Sequence, residues 1–143
     1  MQRSLQPEGM LNKHLVFIYG SLRRGCSGAM SVRFPRAKFL SAAGVHGRLY
    51  DLGSFPGLQL DESSSPVRGE VYEVDDQLLK ELDEFEAASN YLRERVNTYV
   101  RNDPRECWTY LPDPESYSLQ KVIPSGDWVE YAREEKISGE THR

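Results

Sequence analysis

The sequence predicts an α+β fold: a small mixed, barrel-like β-sheet with few helices. Three observations lead there. Runs with the two-residue period of a strand recur along much of the 143 residues. One stretch near the middle carries strong helical spacing, and strands do not alternate regularly with helices, which argues against a doubly wound parallel sheet. The length suits one domain, and 15 Phe, Trp and Tyr residues supply bulky core material. The expected organisation is a flexible leader at 1–12, a single domain at 13–136 and a flexible tail at 137–143.

Val16-Phe17-Ile18-Tyr19 is apolar without alternation and breaks at Gly20-Ser21-Leu22, which reads as a buried strand running into a tight turn. Arg33 to Ala43 contains Pro35 and mixed polarity, so an irregular segment with one helical turn is expected. Val45 to Leu52 reads as a strand with Val45, Gly47, Leu49 and Asp51 on one face. Ser54-Phe55-Pro56-Gly57 forces a turn, after which Leu58 to Leu60 adds a short strand. Val67 to Val74 alternates cleanly. Asp75 or Asp76 caps a helix whose Leu78, Leu79, Leu82 and Phe85 share a face, ending near Ala88 where Ser89-Asn90 breaks the pattern. Tyr91 to Val100 and Glu106 to Leu111 read as strands around an Asn102-Asp103-Pro104 turn. Asp113 to Ser125 is loop-like, and a last short helix spans Trp128 to Glu135.

Composition excludes several classes. The net charge is −4, but residues 1–50 hold eight Lys or Arg against one acid, and the rest hold ten against twenty-one. An acidic total without interleaved basic and aromatic residues argues against nucleic acid, while the basic first third suits a small anion. No run approaches the roughly 20 apolar residues of a membrane span. Two cysteines make neither a disulfide framework nor a zinc cluster, so a cytoplasmic protein with reduced thiols is expected.

Chemistry is sought first at the end of the first strand. A glycine there permits a sharp turn and close approach of a ligand to backbone amides, and Arg23-Arg24-Gly25-Cys26-Ser27-Gly28 continues as a basic, glycine-rich loop. Gly20 to Gly25 has the spacing that opens a phosphate-binding loop, yet Cys26 stands where lysine is needed. Cys26 beside two arginines is a candidate low-pKa thiol, but a catalytic thiol needs a positioned histidine, and only His14, His46 and His142 exist. These histidines have no metal-ligand spacing.

The central helix supplies a second candidate. At about 100° per residue from Leu78, Leu82 falls near 40° and Phe85 near −20°, defining the core arc. Glu86 falls near 80°, between the leucines, whereas Lys80, Glu81 and Glu84 point away and Asp83 lies near 140° at the edge, on the same estimate of about 100° per residue. A carboxylate aimed at the apolar side is costly unless paired or protonated. Either Glu86 is tied to Arg93 or Arg95 or escapes at a frayed end, or desolvation raises its pKa into the range of a general acid and base.

Four segments in order carry a family resemblance: Tyr19-Gly20-Ser21-Leu22 after an apolar strand, Gly69-Glu70-Val71-Tyr72-Glu73-Val74, Leu82-Asp83-Glu84-Phe85-Glu86 and Tyr91-Leu92-Arg93. Together they resemble gamma-glutamylcyclotransferase-like proteins. Ser54-Phe55-Pro56-Gly57 and Ser125-Gly126-Asp127-Trp128 are similar to segments of bacterial members, and the resemblance covers Val16 to Tyr131. It implies a gamma-glutamylcyclotransferase-like fold and release of 5-oxoproline from a gamma-glutamyl amide. Glu86, the residue after the phenylalanine in the Leu-Asp-x-Phe-Glu pattern, is implied as the general acid/base, the same residue that the helical wheel singles out. Tyr19, Gly20, Ser21 and Leu22 resemble the loop whose backbone amides hold the glutamyl group. Tyr91 and Tyr110 are candidates for lining the pocket, with barrel core as the alternative. The resemblance calls for no metal and no cofactor, and its implied partner is a small-molecule gamma-glutamyl substrate. The leaving amine and the oligomeric state are not legible. The alternative is a non-catalytic small-acid binding or regulatory module of the same fold.

Overall fold

The computed structural model describes residues 12–141. The expected leader lies outside them except for Asn12, as do residues 142 and 143. In chain order the elements are β1 (Lys13–Ile18), α1 (Met30–Arg33), β2 (Lys38–Asp51), β3 (Pro56–Leu60), β4 (Pro66–Asp75), α2 (Asp76–Ala87), β5 (Tyr91–Val100), β6 (Asp103–Pro112), β7 (Lys121–Ile123) and α3 (Trp128–Thr141).

The strands follow the order β3-β2-β4-β1-β6-β5, and a β2–β5 pairing at Gly44 and Tyr99 closes five of them into a barrel. The sheet is mixed because β1 and β6 run parallel while the other pairings are antiparallel. β2 serves several neighbours along its length. Its first part pairs with β4, and from Gly47 onward it pairs with β3, with β7 on its other side from Leu49 to Asp51. A Cβ at Gly47 would stand 2.5 Å from the Gln59 carbonyl oxygen, so the close β2–β3 approach excludes any side chain.

Two apolar clusters explain the unbroken hydrophobicity of β1. Val16 and Ile18 pack with Leu78, Leu79 and Leu82 of α2, whereas Phe17 joins a cluster drawn from every strand together with Trp128 of α3. A strand buried on both faces has no polar face to alternate with. α2 begins where Asp75 accepts the Leu78 N–H at 2.8 Å, and it ends before Asn90, whose φ of 64° cannot continue a helix.

The structure departs from the sequence-based expectations at several places, Pro56 and Gly57 of the expected turn among them, since both pair in β3. Lys38 to Ala43, expected to be irregular, is strand, held by pairing with β4 and bulged between Phe39 and Ser41. Its Lys38, Phe39, Leu40 and Ala42 are all exposed, so it lacks the alternation that would reveal it. The helical turn precedes that segment, at Met30–Arg33. β7 lies within the expected loop 113–125 and is too short to show a period. The β5–β6 hairpin turns at Arg101-Asn102, both at positive φ, so Pro104 sits in the strand opposite Tyr99. α3 continues past Glu135 to Thr141, into the stretch expected to be tail. Among the described residues no helix is long and apolar enough to cross a membrane.

Candidate active site

A cleft of ≈ 210 Å³ opens where β1 ends. Tyr19, Gly20, Ser21 and Leu22 form one wall, the last turn of α2 contributes Phe85 and Glu86, and Tyr91, Tyr110 and Pro56 come from β5, β6 and β3. The structure therefore brings all seven sequence-predicted site residues to one cavity. It does not bring the arginines. Arg23 pairs with Glu70 at 3.0 Å and Asp127 at 2.9 Å, and Arg24 lies over the Phe39 ring at 4.4 Å. Arg23 is thus anchored in protein charge, and Arg24 rests on an aromatic face outside the cleft lining.

Glu86 reaches the cleft because α2 turns it inward beside its buried leucines. Among the described residues, no hydrogen-bond or salt-bridge partner meets its carboxylate. The arginines that were alternatives are occupied: Arg93 Nε meets Asp83 at 3.0 Å and Arg95 meets Glu106 at 2.9 Å. Burial without compensation favours the neutral acid and pushes Glu86 from 4.5 up to about 7. Phe85, expected on the core arc, is 38 % exposed and stands edge-on to Phe34, because the last turn of α2 overhangs the cleft.

The tyrosine hydroxyls are committed to the protein. Tyr19 donates to the Tyr110 carbonyl oxygen at 2.7 Å and accepts from the Leu58 N–H, Tyr91 donates to the Pro56 carbonyl oxygen, and Tyr110 donates to Asp83 Oδ1 at 2.7 Å. Burial is the main reason each of these phenols is raised well above its ordinary pKa, and the nearby Glu86 charge adds to all three. Tyr91 and Tyr110 therefore line the cleft and belong to the core at once.

Among the described residues, no Lys, Arg or His lines this cleft. A negative group bound there must rely on neutral donors, the Ser21 and Ser89 hydroxyls included, and among the described residues the N–H groups of Gly20, Ser21 and Leu22 have no protein acceptor. Successive free amides at a tight turn form an anion-binding concavity. Cys26 stands outside the cleft, its thiol 3.9 Å from the Gly20 carbonyl oxygen, and burial pushes its pKa up despite Arg23. Of the histidines, His14 is bonded to Asp76 and His46 to the Ser64 carbonyl oxygen, while His142 lies outside the described residues.

Sequence reasoning missed Glu70 as a partner in this region. It is 5 % exposed and accepts from Arg23 Nε, the Arg24 backbone N–H and the Tyr72 hydroxyl, each at 3.0 Å. These bonds hold the segment immediately after Leu22. Tyr117 was also missed: it meets Phe55 and Tyr91 edge-on and donates to the Ser89 carbonyl oxygen at 2.6 Å. Residues this far apart in sequence leave no local signal of such contacts.

Comparison with known proteins matches residues 16–130 to the family described as gamma-glutamyl cyclotransferase, AIG2-like. The chain belongs to this family. It is 33 % identical over 119 residues to a gamma-glutamylcyclotransferase family protein of Escherichia coli K12, covering 80 % of this chain and 96 % of that one. It is also similar, at 31 % identity over 125 residues, to the gamma-L-glutamyl-butirosin B gamma-glutamyl cyclotransferase of Niallia circulans, covering 81 % of this chain and 76 % of that one. A crystal structure of an AIG2-like protein from Mus musculus superposes with a TM-score of 0.63 at 26 % identity, over 82 % of this chain and 95 % of that one. Membership makes the chain a gamma-glutamylcyclotransferase-type enzyme with the family's barrel fold.

Proposed function

We propose that this gamma-glutamylcyclotransferase-type enzyme cyclises the gamma-glutamyl group of a gamma-glutamyl amine or amino acid, releasing 5-oxoproline and the free amine. The observation that carries this reading is Glu86, a largely buried carboxylate in a cleft whose wall also holds the Gly20–Leu22 turn; among the described residues Glu86 has no partner, the N–H groups of that turn have no acceptor, and no cationic side chain lines the cleft.

The chemistry follows from that arrangement. The substrate's α-nitrogen attacks its own γ-carbonyl carbon, so a new C–N bond closes the five-membered ring and the original amide C–N bond breaks. Because the step is intramolecular, holding the glutamyl chain curled supplies much of the rate. Glu86 takes a proton from the attacking nitrogen and delivers it to the leaving nitrogen, a role that suits an acid titrating near the working pH. Amides of the Gly20–Leu22 turn stabilise the carbonyl oxygen as charge develops on it, or hold the α-carboxylate. No residue has to act as a nucleophile.

A panel of gamma-glutamyl amines and gamma-glutamyl amino acids, with 5-oxoproline measured directly, tests the proposal. Release of 5-oxoproline stoichiometric with free amine is expected for at least one of them. Binding of gamma-glutamyl ligands with no release from any would overturn it.

A further inference from the structure

Asp83 lies three residues before Glu86, one helical turn back along α2. Its Oδ1 meets two groups of the barrel wall: it accepts a hydrogen bond from the Tyr110 hydroxyl at 2.7 Å and forms an ion pair with Arg93 Nε at 3.0 Å. Arg93 and Tyr110 are direct partners across the β5–β6 ladder. One carboxylate oxygen therefore joins a helix to two adjacent strands. Arg93 is further held with its guanidinium 4.1 Å from the centre of the Trp108 ring.

This junction sits where the other anchoring of α2 ends. Leu78, Leu79 and Leu82 are buried, but Phe85 is 38 % exposed and meets Phe34 edge-on, so the final turn packs less deeply than the turns before it. Glu86 has no side-chain partner of its own among the described residues. Its place in the cleft depends on where the backbone of that turn is held. Asp83 holds it from within, and the Tyr117 bond to the Ser89 carbonyl oxygen holds the chain just beyond.

We propose that Asp83 is a positioning residue for Glu86: by clamping the last turn of α2 to Tyr110 and Arg93, it keeps the Glu86 carboxylate inside the cleft, in its largely buried setting. The catalytic consequence rests on the reading of Glu86 as proton carrier, but the positioning itself does not. The groups nearest Glu86 from the surrounding strands are the phenols of Tyr19, Tyr91 and Tyr110, all raised and hence neutral at working pH, and its own helix carries Asp76, Lys80, Glu81, Asp83 and Glu84.

The test follows the Glu86 carboxyl carbon by NMR titration in the full chain, with steady-state kinetics beside it. Wild type is expected to titrate near pH 7. In Asp83→Ala the turn loosens, water reaches the carboxylate and the midpoint falls by about one unit or more. kcat drops about tenfold while KM changes less, the split expected for a misplaced acid/base group. Asp83→Asn lacks the charge but keeps an oxygen that can accept the Tyr110 hydroxyl and stand beside Arg93, so it should stay near wild type in both measurements. Arg93→Gln removes a cation, which by electrostatics alone would raise the midpoint; a fall in this variant supports positioning. An unchanged midpoint in Asp83→Ala, an equal shift in Asp83→Asn, or a rise in Arg93→Gln would overturn the proposal. Because the titration needs no turnover, these outcomes stay separate from the fate of the Glu86 assignment, which Glu86→Gln decides.

Discussion

Gly20 and Pro56 meet across the mouth of the cleft so closely that a Cβ on Gly20 would stand 3.0 Å from Pro56 Cγ and 3.1 Å from Cδ. The ring has little room to retreat, because the Tyr91 hydroxyl bonds the Pro56 carbonyl oxygen. Gly20 is not in the left-handed region of backbone space, so this approach, and not an unusual φ, is what demands glycine. Gly20→Val should fold yet bind no gamma-glutamyl ligand by calorimetry. Ser21→Ala removes an exposed side chain, so its turnover should fall only modestly. Normal binding by the valine variant would place the substrate elsewhere.

Glu86→Gln preserves shape and removes the proton acceptor. A folded variant should bind a gamma-glutamyl ligand and lose turnover by about 100-fold or more. Glu84→Gln, on the exposed side of the same helix, should leave both unchanged. Retained turnover in Glu86→Gln would defeat the acid/base assignment.

The raised pKa of Glu86 also sets a pH dependence. Between about 4.5 and 7 the folded protein holds a proton on Glu86 that the unfolded chain has released, so this group's contribution to stability is present at low pH and is lost as pH rises through 7. The loss is at most about 3 kcal/mol at 1.36 kcal/mol per pKa unit. Glu86→Gln should therefore melt higher than wild type at pH 8 and close to it at pH 4. The kcat/KM of wild type should rise through about pH 7 as the base form appears. Equal melting differences at both pH values would contradict a desolvated carboxylate.

Glu70→Ala leaves Arg23 buried with only Asp127 and strips the Arg24 N–H of its acceptor. Removing one partner of a buried pair typically costs about 3 kcal/mol or more. Urea denaturation should show that loss, and turnover should fall as well, since the bonds brace the chain after Leu22. Unchanged stability would mean the network is solvated in solution.

Thiol alkylation should leave activity intact, because neither cysteine lines the cleft and burial raises both thiols. Inactivation of a folded Cys26→Ala variant would require a different mechanism.

The sequence by itself determined the features that rest on local periodicity and turn chemistry. β1 was legible from an unbroken apolar run, α2 from leucine spacing and the Asp75 cap, and the inward aim of Glu86 from three residues of helical arithmetic. The tertiary structure decided what depends on neighbours distant in the chain. Arg93 and Arg95 were each open to several acids, and only the folded β5–β6 ladder gives Arg93 to Asp83 and Arg95 to Glu106, leaving Glu86 alone. Phe85 carries the same periodic signal as Leu82, but a wheel describes a helix and not the edge of the barrel it overhangs. Arg23 looked like an anion receiver until Glu70, 47 residues beyond it, met its guanidinium on β4, where Glu70 also accepts the Arg24 backbone N–H. Charge pairing and burial are set by which strands close the barrel, and that closure, at Gly44 and Tyr99, joins residues whose local sequence carries no trace of the other.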